Sequence, residues 1–275
     1  MKIVIDNFFE ENGYIKGLKD KLEQAGFDVV VLEYIPYIKE DLALPEKFQG
    51  DLVFAYGTIQ FIKKIQNKYS NIVAFFNNEA FKVSNYLSNA GDGIDLFLNK
   101  DLFFITYGML RQNPLRYFDM IGDDKVFIRP DSGNKVFTGT VLTKNNIKEE
   151  LFHLDKFPSV VNNTILLVSS VKNIKREYRA VIVGNDVVAA SLYLEDDEFK
   201  MSSDIPDDVY EIAGKYASLP IDNKVDDYVV CDVAELSNGD FKIIELNSVS
   251  TSDLYMCDPH SLKLVAEHYM RSIEC

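Results

Sequence analysis

The sequence predicts two architectures in succession: an α/β segment on a small parallel sheet, then an α+β segment of antiparallel strands. Three observations carry this. Up to Phe76, short β-branched runs alternate with helix-spaced stretches, the pattern of a parallel sheet covered by helices. Beyond Asp123, strand-like runs follow one another across turn residues, as in hairpins. Near the C-terminus, Asn238-Gly239 separates two apolar runs. That dipeptide is a strong hairpin signal, because a type I′ turn needs positive φ at both central residues.

The elements follow in order. Lys2–Asp6 reads as a strand, and Tyr14–Ala25 as a helix with Ile15, Leu18, Leu22 and Ala25 on one face, stopped by Gly26. Asp28–Leu32, Asp51–Tyr56 and Asn71–Phe76 read as further strands, with a helix to about Tyr69 after the third. The first turn, Asp6 to Glu10, lacks a GxGxxG fingerprint, which excludes a dinucleotide site there. Residues 78–122 read as mostly helical, with an irregular Gly91-Asp92-Gly93 break. The later strands are Lys125–Pro130 with Lys135–Leu142, Ile165–Val171, Glu177–Val183 with Val187–Leu194, and the closing hairpin. Asp207–Ala217 and His260–Ile273 complete the reading as helices. There is no internal repeat, and Glu195-Asp196-Asp197-Glu198 reads as a solvated turn.

The chain has 275 residues and a formal net charge of −14. That charge argues against non-specific binding to nucleic acid or anionic membrane, which need basic surfaces. No uncharged apolar run is long enough to span a bilayer, and Met-Lys-Ile-Val-Ile-Asp reads as a strand rather than a signal peptide. Cys231, Cys257 and Cys275 form no CxxC spacing, so free thiols and a cytoplasmic setting are expected. His153, His260 and His268 show no metal-ligand spacing.

Candidate chemistry lies in three stretches. In the closing hairpin, Tyr228 to Asn247, pairing Ser237 with Asp240 sets Asp232 directly opposite Glu245, with Asn247 on the same face. Val230, Ala234, Leu236, Phe241 and Ile243 are their expected apolar neighbours on that face. Two carboxylates ~5 Å apart in apolar surroundings repel. They call for a hard cation held by Asp, Glu and an Asn carbonyl, for a lysine, or for exposure to water. The second stretch runs from Phe127 to Gly139. There Arg129 and Lys135 flank the loop Asp131-Ser132-Gly133-Asn134. It reads either as a phosphate cradle of backbone amides and cations or as an ordinary hairpin turn. It is not a Walker A loop. In the third, Glu177 and Arg179 alternate onto one strand face with Val181 and Val183, downstream of Leu166 to Ser170, Lys172 and Lys175. A structural Glu–Arg ion pair and a ligand-facing pair are both compatible with this spacing.

In this order, the three stretches resemble the ATP-grasp superfamily, and within it the phage and bacterial subgroup named for an arginine and two lysines. The motifs are Phe-Ile-Arg-Pro-Asp-Ser-Gly-Asn-Lys-Val-Phe-Thr-Gly, then Lys-Arg-Glu-Tyr-Arg-Ala-Val-Ile-Val-Gly, then Asp232 with Glu245-Leu-Asn247. The resemblance covers roughly Asn99 onward. It implies a pre-ATP-grasp α/β domain (residues 1–95) followed by an ATP-grasp domain (residues 96–275) whose two antiparallel sheets sandwich the nucleotide. It also implies specific roles. Arg129, Ser132, Gly133, Lys135 and Lys172 would serve the phosphates of ATP, with Lys100 and Lys175 as alternatives for the second lysine. Leu167, Val168, Ser169 and Ser170 would line the adenine and ribose. Asp232, Glu245 and Asn247 would hold Mg²⁺. Glu177, Arg179 and Arg129 would face the reaction, and the loop from Ser248 to Asp253 would shape the acceptor pocket. The superfamily's usual Lys-Pro is Arg129-Pro130 here. The implied activity is an ADP-forming carboxylate–amine ligase acting on small-molecule or peptide substrates through an acylphosphate. A kinase on the same fold and a non-catalytic nucleotide-binding module are the alternatives; the oligomeric state is open.

Overall fold

The structure is a computed structural model that describes residues 1–35 and 42–274; Cys275 lies outside them. The chain divides into two units, Met1–Asn77 with Ile174–Cys275, and Asn78–Asn173.

The first unit begins with β1 (Lys2–Asp6), α1 (Asn7–Asn12), α2 (Leu18–Gln24), β2 (Asp28–Leu32), β3 (Val53–Tyr56), α3 (Ile59–Lys68) and β4 (Ile72–Val73). The strands form a parallel sheet in the order β2-β1-β3-β4. Alternation sorts the side chains of its two central strands. Val4, Val53 and Ala55 pack with Phe61, Ile62 and Ile65 of α3, while Ile3, Ile5, Phe54 and Tyr56 join the opposite core. The expected Tyr14–Ala25 helix starts only at Leu18, because Gly17 is left-handed at φ 63°. The Asp6–Glu10 turn is instead the start of α1. Asp6, fully buried, caps α1 by accepting from the Phe8 N–H. Its other oxygen accepts from the Thr58 N–H and hydroxyl.

The second unit contains α4 (Val83–Asn89), β5 (Leu102–Thr106), α5 (Tyr107–Gln112), α6 (Leu115–Ile121), β6 (Lys125–Pro130), β7 (Thr140–Thr143), α7 (Ile147–Leu154) and β8 (Ile165–Ser169). Its antiparallel sheet has the order β5-β8-β6-β7. Ile105, Val126, Ile128, Leu166 and Val168 pack with Leu110, Phe118 and Leu154. Two expectations are corrected here. Residues 78–122 include a strand, β5, whose Leu-Phe-Phe-Ile-Thr run pairs with β8. The strand expected from Lys135 begins at Thr140, because Lys135 itself is left-handed, at φ 50°.

The chain then returns to the first unit with β9 (Ile174–Val183), β10 (Asp186–Glu195), β11 (Glu198–Ser202), α8 (Asp207–Ala217), β12 (Tyr228–Leu236), β13 (Phe241–Ser248) and α9 (His260–Glu274). These five strands form an antiparallel sheet, β11-β10-β9-β12-β13. The acidic quartet is the β10–β11 turn, with Asp196 and Asp197 at φ 49° and 62°, the backbone a two-residue I′ turn requires. Val181, Val183, Val230 and Tyr228 share a core with the parallel sheet's Ile3, Ile5 and Phe54 and with Leu262 and Val265 of α9.

The closing hairpin keeps its expected register at the mouth and departs from it near the turn. Asp232 lies opposite Glu245, but Val233 lies opposite Ile243. The extra residue, Ile244, is a β-bulge. The loop is Ser237-Asn238-Gly239, closed by Leu236 N–H to Asp240 carbonyl at 2.8 Å, and only Gly239 has positive φ. This is the three-residue form with a left-handed glycine rather than the type I′ turn. The bulge moves Phe241 and Ile243 off the face of Asp232, and Phe241 packs near Tyr178. Lys242, opposite Ala234, takes their place on that face.

Candidate functional site

In the first unit, register alone builds a row across four strands: Ser191 opposite Arg179, Arg179 opposite Asp232, Asp232 opposite Glu245. Asn247 is two residues along β13 from Glu245, and Glu177 two residues along β9 from Arg179, so both join this face. The row settles where the compensating positive charge sits. Arg179 Nε and Nη2 each donate to one oxygen of Asp232 at 2.8 Å. The pair is almost wholly buried, with Arg179 5% and Asp232 1% exposed. A buried, two-pronged arginine–carboxylate pair is the strong form of the interaction. Burial opposes the Arg179 charge, but the Asp232 carboxylate outweighs it and holds the guanidinium above its ordinary range. The third arm, Nη1, donates to the Asp253 carbonyl at 2.6 Å.

The ion pair weighed between Glu177 and Arg179 does not form. The directly facing cross-strand carboxylate, Asp232, takes the arginine, and Glu177 instead accepts from the Tyr193 hydroxyl. Burial raises the Glu177 carboxyl above its ordinary range, while the Tyr193 hydrogen bond works the other way. Asn247 bridges the two facing acids: its Nδ2 donates to Asp232 Oδ2 at 3.0 Å and to Glu245 Oε1 at 2.8 Å. The amide thus stands where a shared cation would stand. Turning it end for end would offer Oδ1 in place of two N–H donors. The donor set of two carboxylates and one carboxamide oxygen suits a hard divalent ion. Among the described residues, no group of three or more His, Cys, Asp or Glu side chains could hold a metal unaided.

The loop that follows Asn247 is fixed to the carboxyl end of the parallel sheet. Gly57 N–H donates to the Ser250 carbonyl at 2.9 Å, Phe75 N–H to Ser250 Oγ at 3.0 Å, and the Tyr56 hydroxyl to the Ser252 carbonyl at 2.8 Å. Sequence reasoning missed two aromatic residues here. Tyr193 and Tyr255 stack with ring centres 4.8 Å apart, and the Arg179 guanidinium lies 4.7 Å from the Tyr255 ring centre. Burial pushes the Tyr255 hydroxyl up to about 12, against the pull of Arg179. Tyr193 was legible, since it alternates with Ser191 along β10. Tyr255 was not, because its left-handed backbone, φ 52°, carries no sequence signal.

In the second unit, alternation puts Arg129 on one face of β6 and its neighbour Ile128 in the core. Arg129 lies opposite Leu167, and Phe127 opposite Ser169. Val168 therefore faces the core, while Leu167 and Ser169 share the Arg129 face. Ser169 Oγ donates to Asn99 Oδ1 at 3.2 Å. The loop after Pro130 is tied down by Asp131, which accepts from the Ser84 N–H at 2.9 Å and hydroxyl at 2.6 Å. Ser132 Oγ accepts from the Asn134 N–H. A Cβ on Gly133 would lie 3.0 Å from the Asn78 carbonyl, so the close approach favours glycine. Lys135 is exposed beside this loop. Among the other candidate lysines, Lys100 pairs with Asp95 and Lys175 with Glu235. Lys172 donates to Ser170 Oγ at 2.7 Å, and among the described residues it has no carboxylate partner.

Comparison with known proteins agrees with this architecture. DcsG, a D-cycloserine synthetase, superposes with a TM-score of 0.64 at 10% identity, over 98% of this chain and 99% of its own. The D-alanine–D-alanine ligase from Bacillus anthracis, complexed with ATP, gives 0.60 at 13% identity, over 100% and 99%. The ATP-grasp ligase PsnB, complexed with a minimal precursor, Mg and ADP, gives 0.54 at 12% identity, over 98% of each chain. These likenesses establish the fold. No curated protein matches the chain. No helix among the described residues is long and apolar enough to cross a membrane. The family model for the ATP-grasp domain, R2K clade family 2, matches residues 110–265, a span that takes in the cationic loop, β8, β9 and the acid-bearing hairpin. The chain belongs to that family, an ATP-grasp domain of R2K clade family 2.

Proposed function

We propose that this chain is an ATP- and Mg²⁺-dependent carboxylate–amine ligase that forms ADP. The observation that carries the reading is the Arg179–Asp232–Glu245 row with Asn247 beside it. An acid pair already bridged by a donor group is a place prepared for a cation. Asp232, Glu245 and, with its amide turned end for end, Asn247 would offer three hard oxygens of the kind Mg²⁺ prefers. The ion would arrive with ATP rather than reside permanently, in keeping with the absence of a larger acidic cluster among the described residues. An ion held there would neutralise charge on the phosphates. Arg129, Lys135 and the Ser132-Gly133 amides take the phosphates. Lys172 would serve as the second lysine; its rivals Lys100 and Lys175 each lie beside a carboxylate, which supports this choice. Leu167 and Ser169, on the Arg129 face, line the base and ribose, with the adjoining Val168 and Ser170 contributing main chain.

The chemistry asks for positioning and charge rather than a protein nucleophile. A substrate carboxylate oxygen attacks the γ-phosphorus, the bond to ADP breaks, and an acylphosphate results. The amine nitrogen then attacks the acyl carbon, phosphate leaves, and the amine proton is lost. Glu177 and the free N–H groups of Arg179 face these steps. The ATP-bound and ADP-bound complexes among the similar folds and the family membership support this reading. The test is incubation with ATP, Mg²⁺ and pooled carboxylates and amines. Amide with ADP and phosphate is the expected outcome. A stable phosphorylated product points to a kinase, AMP with pyrophosphate sinks the chemistry, and the absence of Mg²⁺-dependent ATP binding sinks the site.

A further inference from the structure

Beside the acid-bearing face, the first unit holds a cavity of ≈ 520 Å³. Ile15 and the buried Cys257 form apolar wall, and Tyr14 and Tyr255 supply aromatic wall. Tyr255 stands between this cavity and Arg179. One side of its surroundings is Tyr193 and the guanidinium, and Tyr14 lies 5.0 Å away, centre to centre. Tyr14 in turn stacks on Phe199 at 4.6 Å, and these two rings remain 44% and 48% exposed. A single carboxylate holds the pair of tyrosines: Asp253 accepts from the Tyr14 N–H at 3.1 Å and the Tyr255 N–H at 3.2 Å. The left-handed backbone of Tyr255 is strained for a residue with a bulky side chain. Strain of this kind persists where the surroundings enforce it, and it concentrates at ligand sites.

The cavity also carries two opposite charges, Lys21 and Asp258. Both are exposed; among the described residues neither makes an ion pair, and the Asp258 carboxylate accepts from the His260 N–H. Left unpaired on one cavity, a cation and an anion complement a zwitterion; the stacked rings complement a flat apolar group. We propose that this cavity binds an aromatic α-amino acid, its ring on Tyr14 and Tyr255, its carboxylate toward Lys21 and its ammonium toward Asp258. Tyr255 separates this cavity from Arg179, so the ligand is bound apart from the reacting groups, and its binding requires neither ATP nor turnover.

The chain contains no tryptophan, so tryptophan itself is the probe, its fluorescence read without background from the protein's own indoles. The full chain is titrated into L- or D-tryptophan without ATP, with alanine as competitor. The expected result is saturable binding, with alanine at least about tenfold weaker. Tyr14→Ala and Lys21→Met should each weaken tryptophan by about tenfold at an unchanged unfolding midpoint. No binding at millimolar tryptophan, alanine binding equally well, or both variants binding like the parent would overturn the proposal. Tryptophan binding by a chain that releases no ADP supports the cavity and counts against the ligase reading. Amide synthesis from amines that lack a ring, with no tryptophan binding, does the reverse.

Discussion

Arg179 grips both carboxylate oxygens of Asp232 from the neighbouring strand, at 2.8 Å each, with both side chains buried. The relationship divides the acid pair into unequal members. Asp232 is charge-compensated and fixed, whereas Glu245 is half-buried and reached by the same Asn247 amide. A cation entering here meets one rigid carboxylate and one more exposed.

Removing the arginine strands a buried charge. Arg179→Ala should cost about 3–5 kcal/mol of unfolding free energy, measured by urea denaturation. Arg179→Met combined with Asp232→Asn should lose less than the single change, because the uncompensated charge goes with its partner.

Glu245→Gln keeps the shape and removes the charge. ADP release should fall by about two orders of magnitude or more while the unfolding midpoint stays put. Unfolding of the variant would instead assign Glu245 a structural role. Without nucleotide, Mg²⁺ titrated into the parent chain should bind weakly, since this site offers two carboxylates and an amide.

Glu177 sets a pH dependence of stability. Its carboxyl is raised in the folded state, chiefly by burial, so the folded chain holds this proton more tightly than the unfolded one. The stabilisation is complete below the ordinary carboxylate range and is lost as pH rises through the folded value. Glu177→Gln should abolish that fall while still accepting from Tyr193. Unfolding free energies of the two proteins, followed upward from pH 4, should therefore diverge in favour of the variant.

Gly57 tests the anchoring of the loop after Asn247. A Cβ there would lie 2.4 Å from Asp6 Cβ and 2.8 Å from the Phe61 ring, while its N–H donates to the Ser250 carbonyl. Gly57→Ala should cost about 1–3 kcal/mol and lower ligase turnover with it. An alanine variant with parental stability would show that the sheet end yields more easily than these distances imply.

Where the sequence was legible, local pattern and fold agreed. β1, β2, β6 and α8 begin and end where alternation or helical spacing puts them, and Asp232 faces Glu245 as expected, although by a three-residue loop and a bulge that offset each other. What escaped was set at a distance. β5 is a strand because β8 pairs with it; its own Leu-Phe-Phe-Ile-Thr suits a buried helix equally well. Ile244's bulge exchanged Phe241 and Ile243 for Lys242 on the acid-bearing face, and a bulge has no reliable residue signature. Arg179 was legible as a site residue, but its choice of Asp232 over Glu177 depended on β9 lying beside β12.

The core of the first unit joins Ile3, Ile5, Phe54 and Tyr56 to Val181, Val230, Leu262 and Val265, residues separated by the whole second unit. A ribosome therefore releases the opening strands long before their packing partners exist. The inserted unit, continuous in sequence, can finish folding first. Part of the opening segment's apolar face, the part that Phe9, Leu18 and Leu22 do not cover, waits for β9, β12 and α9. Productive synthesis of this protein thus depends on how long that face is left exposed, and slow translation through residues 78–173 would lengthen the exposure.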